Sequence, residues 1–403
     1  FGDSLIVLRT LTALLGGAAM WSVLKMTRTL GGNLIACWLA GIAFLFAPIN
    51  LAYTTSFSMN IIEVFLWPLA IVLLVRALRR PEVSVHWLWV GVVTGLGMMN
   101  KISMAWFAIG LIVFLLISPH RKLLRQKGPY LAGVTALVLF LPFILWNLTH
   151  DIAHLEFASN ASQFKYAGIS RVDFLAEQLL LEHPLILIFL VASLLFLFSR
   201  STSWIERLPL VLFFTALVIL LVKGQVKANY MASAYTGIMA CGAIWLSRSY
   251  KTWQRGLLGI LSVVYIVTGL ILMPLATPVL SEEAFITYNK ALGVGPSNQE
   301  SKEEGPLPQY YADMHGWENF ARTVSEAYVS LTDEEREGLV AWVNNYGEAG
   351  ALDYYRDEYP LPPVLSRHNA YFTWGLETLA TESYDKFLIV GGEEESHKEY
   401  LST

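Results

Sequence analysis

Apolar residues fill the first two-thirds of the chain in long blocks, broken by short polar or charged stretches. A helix needs roughly 20 mostly apolar residues to cross a bilayer, with a range of about 17–25. Ten blocks are candidates: 5–26, 34–49, 61–78, 85–99, 103–117, 129–146, 180–199, 208–222, 230–246 and 256–275. The two that flank Lys101 are short, roughly 22 Å each at about 1.5 Å per residue. They read as a hairpin whose tip stops short of the far surface. Beyond residue 280 the pattern changes. VAWVNNYGEAGALDYY (340–355) reads as a strand, a Gly turn and a helix, FLIVGG (387–392) as a second strand, and SLTDEEREGL (330–339) as a capped helix. The expected fold is a multi-pass α-helical membrane protein with a small C-terminal α/β soluble domain. The expected division is a membrane body at 1–280 with about ten spans and a soluble domain at 281–403.

Composition agrees with this division. The 403 residues are 55% hydrophobic and only 15% charged, against about 25% charged in ordinary soluble domains. Up to Leu280 there are 20 Lys and Arg against 9 Asp and Glu, a balance of +11; from Ser281 onward there are 8 against 23, a balance of −15. So abrupt a change of sign marks a change of solvent. Cys37 and Cys241 both lie in apolar blocks and imply no disulfide framework.

Charge also orients the spans. The loops at 25–32, 76–84, 118–128, 200–207 and 247–255 hold 2, 3, 4, 2 and 3 Lys and Arg; the alternate loops at 50–60, 100–102, 147–179 and 223–229 hold 0, 1, 2 and 2. By the positive-inside rule the first set faces the cytoplasm and the second faces outward, as does the C-terminal domain. Carboxylates show the opposite bias: Asp3, Glu63, Asp151, Glu156, Asp173, Glu177 and Glu182 fall on the outer side. The outer face is therefore where chemistry is expected, although a solvated rim has the same appearance.

The chain contains no GxxxxGK loop and no Asp-x-Asp pair, and GLGMMN lacks the third glycine of a dinucleotide fingerprint. No cofactor and no nucleic-acid partner is indicated. Between Val85 and Ile117 the one fixed charge is Lys101. A lysine at membrane depth is a functional candidate, and its natural partner is an anion such as phosphate. Snorkelling of Lys101 to the interface is the competing reading. Asn60 and Glu63, three apart at a helix start, share a face; they either line a substrate cavity or serve the helix start alone. Lys223 and Lys227, with Tyr230 behind them, can hold a lipid phosphate or simply meet anionic head groups. His150, Asp151 and His154 form HDIAH, which resembles HExxH with Asp in place of Glu. If helical, the two histidines face the same way. No third ligand is evident, so these residues are read as lining a substrate rather than holding a metal. Glu348 and Asp353 read as turn chemistry ahead of ligand binding.

At these residues the chain resembles a known family. SMNIIE (58–63), GLGMMNKIS (95–103), LPFILWNLTHDIAHLEF (141–157), EQLLLEHPL (177–185), KANYMASAYTGIMACGA (227–243), LPQYYADMHGWENF (307–320), NYGEAGALDYY (345–355) and LPPVLSRHNAYFTWG (361–375) fall in the order seen in bacterial family 39 glycosyltransferases. These are relatives of the dolichyl-phosphate-mannose–protein mannosyltransferases. The resemblance implies an inverting, GT-C-type transferase of the cell membrane. Its donor would be a polyprenyl-phosphate-linked sugar at the outer, periplasmic face, and its acceptor a hydroxyl on a lipid, glycan or protein. It implies Lys101, Lys223 and Lys227 at the donor phosphate, with Glu63 and Asn60 positioning hydroxyls. His150, Asp151, His154 and Tyr230 would line the substrate. FGDS resembles the end of a first outer loop, so the first span and the principal base are expected upstream of Phe1. The rival reading is a non-enzymatic transporter or flippase.

Overall fold

The computed structural model describes residues 4–166, 168–248, 252–293, 306–381 and 383–391. Its contacts divide it into two compact units that meet at Pro306 and Leu307. The compositional break at Ser281 lies earlier in the chain. The helix that follows it, Glu282–Leu292, belongs to the first unit, where the Tyr288 hydroxyl donates to the Ile271 carbonyl at 2.7 Å.

The first unit is helical. It contains α1 (Leu5–Thr29), α2 (Leu34–Leu45), α3 (Pro48–Tyr53), α4 (Met59–Arg79), α5 (Ser84–Asn100), α6 (Met104–Ile117) and α7 (Lys127–Thr149). There follow α8 (Ala153–Asn160), α9 (Arg171–Glu182), α10 (Ile186–Phe198), α11 (Trp204–Lys223), α12 (Ala232–Ser247), α13 (Thr252–Ala276) and α14 (Glu282–Leu292). Each of the ten apolar blocks coincides largely with one of these helices. Five, α1, α4, α7, α11 and most of α13, are long and apolar enough to cross a membrane alone. Two bent pairs raise the number to at most seven: α6 with the turn at Pro119–Arg125, and α9 with α10. The remaining blocks give short helices, such as the 12-residue α2. Length and composition therefore support fewer full crossings than the ten blocks suggested. The α9–α10 break has a local cause. Pro184 disfavours helix at the preceding residue, and His183 sits at φ +106°.

Helices pack closely in this unit where side chains are small. On α5, a Cβ added to Gly91 would lie 2.5 Å from the Ala132 carbonyl oxygen, and one added to Gly95 would lie 2.9 Å from that of Ala136. Two glycines four apart thus face two alanines four apart on α7. Such a seam lets backbones approach in lipid, where van der Waals contact rather than water exclusion drives association. Deeper in, the buried Trp67 of α4 meets Phe107 of α6 edge-on at 5.3 Å.

The second unit is a small α/β layer. It contains α15 (Gln309–Ala312), α16 (Trp317–Ser330), α17 (Asp333–Arg336), β1 (Leu339–Val343), α18 (Tyr346–Tyr354), β2 (Val364–Ser366), α19 (Ala370–Thr381) and β3 (Lys386–Val390). The strands are parallel in the order β2-β1-β3, with Ala341 opposite both Val364 and Leu388. Ala321, Val324, Ala341, Val343, Ala349 and Leu352 form the core. Three details differ from the sequence reading. The Asn345 side chain caps α18 directly, accepting from the Gly347 and Glu348 amides at 2.8 and 3.0 Å, so no Gly turn intervenes. SLTDEEREGL gives a single capped turn, α17, closed by Thr332 and Glu335. LPPVLSRHN contains the strand β2, which its prolines had disguised. Glu348 accepts from the Asn344 amide at 2.8 Å, and Asp353 binds Arg356 and Tyr371 at 2.8 and 2.7 Å, so both carboxylates brace local structure.

The α5–α7 seam gives a direct test. Gly91→Leu forces a side chain into the Ala132 backbone and should destabilise the protein by about 1–3 kcal/mol or more. Leu at Gly133, where an added Cβ meets nothing within 4 Å, should have little effect. Thermal unfolding of the two variants in detergent measures the contrast.

Candidate active site

The site is built where α4 begins and the α5–α6 hairpin turns. Ser58 caps α4, its hydroxyl accepting from the Asn60 amide. Asn60 is therefore in the first turn, and Glu63 lies just beyond it on the same face. On the hairpin, α5 ends at Asn100, and Lys101 follows in an extended conformation with φ −156°. The Asn100 side-chain amide donates to the Met59 carbonyl at 2.8 Å, fastening the turn to the first residue of α4. Lys101 is thereby aimed inward. Its Nζ donates to Asn60 Oδ1 at 3.0 Å and to Glu63 Oε2 at 2.8 Å. The Ser103 hydroxyl donates to the other oxygen of Glu63.

Burial sets the strength of this network. Lys101 is 9% exposed, and Glu63 and Ser103 are 3% exposed. Removing two charges from water costs several kcal/mol per ion, and attraction repays it only when the remaining lone pairs and protons are also met. Both Glu63 oxygens are met. An ammonium carries three donors, and two of those on Lys101 are used. Among the described residues nothing accepts the third. The Tyr230 ring lies 5.3 Å from Nζ, with Trp106 at 6.3 Å from that ring.

The other candidates separate into distinct groups. Tyr230 belongs to the turn at Ala228–Met231 and borders Lys101. Lys227, one turn earlier, lies over the Tyr166 ring at 5.3 Å and within electrostatic range of Glu177. Lys223 ends α11, exposed, within electrostatic range of His154. Partial burial, and then the Lys223 charge, hold the His154 imidazole below its usual pKa. HDIAH is not one helical run. Asp151 and Ile152 have φ +50° and +58°, which breaks the chain between α7 and α8. His150 stacks on Trp146 at 4.3 Å, while His154 meets Phe143 edge-on at 5.3 Å. The shared face expected from their spacing is therefore lost, and Asp151 is exposed. Asp3 lies outside the described residues.

Sequence reasoning missed a second polar cluster beside the first. Gln178 and Glu182 are four apart on α9; Asn229 and Ser233 are four apart across the turn into α12. The Gln178 amide donates to the Ala228 carbonyl at 3.0 Å, and the Tyr53 hydroxyl to the Asn229 carbonyl at 3.3 Å. These two bonds hold consecutive carbonyls of the segment that carries Lys227 and Tyr230. Among the described residues, Gln178 Oε1, Glu182 Oε2, Asn229 Oδ1 and the Ser233 hydroxyl have no partner although buried. The i, i+4 spacings were visible in the sequence; the facing of one pair to the other was not.

Residues 1–146 match the family described as dolichyl-phosphate-mannose-protein mannosyltransferase. Over 387 residues the chain is 23% identical to lipid A galacturonosyltransferase RgtD of Rhizobium johnstonii, covering 93% of this chain and 78% of that one. Its fold is similar to crystal structures of ArnT from Cupriavidus metallidurans. For the form bound to undecaprenyl phosphate the TM-score is 0.58 at 15% identity, covering 94% of this chain and 75% of that one. For the apo form the TM-score is 0.58 at 14% identity, covering 98% and 80%. The solved structures share this chain's fold, and the family model and the curated relative are both of glycosyltransferases. The flippase alternative is not favoured.

The buried pair makes a thermodynamic prediction. Lys101→Met leaves Glu63 as an unmatched buried charge and should cost about 3–5 kcal/mol. The double variant Lys101→Met with Glu63→Gln should recover much of that loss. Thermal unfolding of the single and double variants, read as a double-mutant cycle, measures the coupling; additive losses would mean the pair is not formed.

Proposed function

We propose that the protein transfers a sugar from a polyprenyl-phosphate carrier to a hydroxyl on a lipid, glycan or protein acceptor at the outer, periplasmic face of the cell membrane. One observation carries this reading: a buried ammonium, that of Lys101, has two of its three donors fixed by Asn60 and Glu63 and the third without an acceptor among the described residues. An anionic phosphate oxygen is the group such a donor suits. The donor class is in keeping with the similarity to ArnT, whose structure holds undecaprenyl phosphate.

In the reaction the acceptor oxygen bonds to the anomeric carbon, and the bond from that carbon to the phosphate oxygen breaks. The electron pair leaves with the phosphate, and the acceptor hydroxyl loses its proton to a base. Negative charge grows on the departing phosphate. A fixed donor at such a place, in a site that excludes water, is often the largest catalytic contribution. Lys101 takes that role. Glu63, with both oxygens already engaged, is first a positioning residue that keeps Lys101 aimed. Asn60 and Tyr230 flank the same ammonium and border the sugar. Lys227 and Lys223 form a more exposed cationic approach that gathers the anionic head group from the membrane surface, with the His154 imidazole beside Lys223. The outer-face assignment rests on the alternation of basic loops along the chain.

The test uses the full chain in membranes supplied with radiolabelled polyprenyl-phosphate sugar. Replacing Lys101 and Glu63 together by glutamine avoids stranding a charge, so folding is preserved while the phosphate donor is lost. Transfer of label should fall by about 10²-fold or more. Unchanged transfer in a folded double variant would remove Lys101 from the reaction. Label that crosses the membrane without joining any acceptor would return the flippase reading.

A further inference from the structure

The first unit has a groove that the transfer reaction does not use. It runs between α2 and α13 with a volume of about 350 Å³, and its lining includes Ile35, Trp38, Leu258, Ser262, Ile266 and Arg255. Its shape follows from two contrasting glycine environments on α13. At Gly269 an added Cβ would lie 2.5 Å from the Phe46 Cβ, so the helix touches its neighbour there. At Gly256 and Gly259 an added Cβ meets nothing within 4 Å. The helices therefore converge near Gly269 and part toward their starts. Those starts lie side by side, because Ile35 and Trp38 of α2 line the groove together with Arg255 and Leu258 of α13.

The groove has a polar end and a length. Arg255 stands one turn into α13, exposed, and among the described residues no carboxylate or carbonyl meets its guanidinium. The lining otherwise has one hydroxyl, Ser262, which is committed to the Leu258 carbonyl at 2.8 Å. Exposed Trp38 and Trp253 lie near the same end, where indoles favour the membrane interface. From Arg255 to Ile266 is roughly 16 Å at about 1.5 Å per residue. That is close to half of a hydrocarbon core of about 30 Å. A cation at the interface above an apolar slot one leaflet deep matches an anionic phospholipid, with its phosphate on Arg255 and one acyl chain in the slot. Basic pockets between helices of a membrane body are known to take such head groups.

We infer that the α2–α13 groove is a site for an anionic phospholipid of the leaflet in which those helices begin, with Arg255 selecting the head group. This site is separate from the Lys101 network and does not depend on the proposed reaction.

Native mass spectrometry of the purified, delipidated full chain tests it, with dioleoyl-phosphatidylglycerol or dioleoyl-phosphatidylcholine added at equal concentration. One arginine at a membrane surface predicts about a fivefold preference for the glycerol lipid. Arg255→Gln should equalise the two lipids. Gly259→Trp, whose Cβ meets nothing within 4 Å and whose indole would occupy the slot, should reduce both. A preference that survives Arg255→Gln, or occupancy unchanged by Gly259→Trp, would overturn the assignment. So would retention of a prenyl phosphate in place of the glycerol lipid in an Arg255-dependent manner.

Discussion

A buried ion pair between Lys101 and Glu63 governs the arrangement of this protein's candidate site. It joins the start of α4 to the turn between α5 and α6, two places 38 residues apart in the chain. Neither charge is tolerable there alone, because hydrocarbon and packed protein both solvate ions poorly. The pair is therefore supported on both sides, with Asn60 accepting a second ammonium hydrogen and Ser103 donating to the other Glu63 oxygen. The same economy leaves one donor of the ammonium unspent.

Around this pair the helices serve as a frame. The glycine–alanine seam between α5 and α7 fixes the position of α5, and with it the hairpin that carries Lys101. The segment bearing Lys227 and Tyr230 is pinned by Tyr53 from α3 and Gln178 from α9. Three separate stretches of chain thus converge on one ammonium, each by a side-chain bond to backbone rather than by apolar contact alone. In a membrane body, where apolar contact is as favourable with lipid as with protein, such directed bonds are what specify position.

The second polar cluster follows the same logic but is left open. Glu182 ends α9 beside the break at His183, with one carboxylate oxygen buried and unmatched. A broken helix at membrane depth is tolerated where protein or a water-filled cavity can meet its polar groups. Glu182 and Glu63 both lie within electrostatic range of Tyr53, which brings this cluster to the edge of the Lys101 network.

Much of this was legible in the chain itself. Ten apolar blocks, the basic loops and the change of charge at Ser281 define a membrane body with a soluble appendage, because transfer of side chains between water and hydrocarbon depends on residue type alone. Lys101 declared itself by its isolation, and Asn60 and Glu63 by helical spacing. Other features needed three dimensions. Spacing suggested that His150 and His154 face one way, but two left-handed residues between them turn the chain. Lys101 and Glu63 were each assigned a substrate, whereas the fold gives them first to each other. The unmatched oxygens of Gln178, Glu182, Asn229 and Ser233, and the groove on α13, arise from which helix faces meet. Residue type fixes what a segment prefers to be near; only packing decides which of several equally apolar neighbours it has.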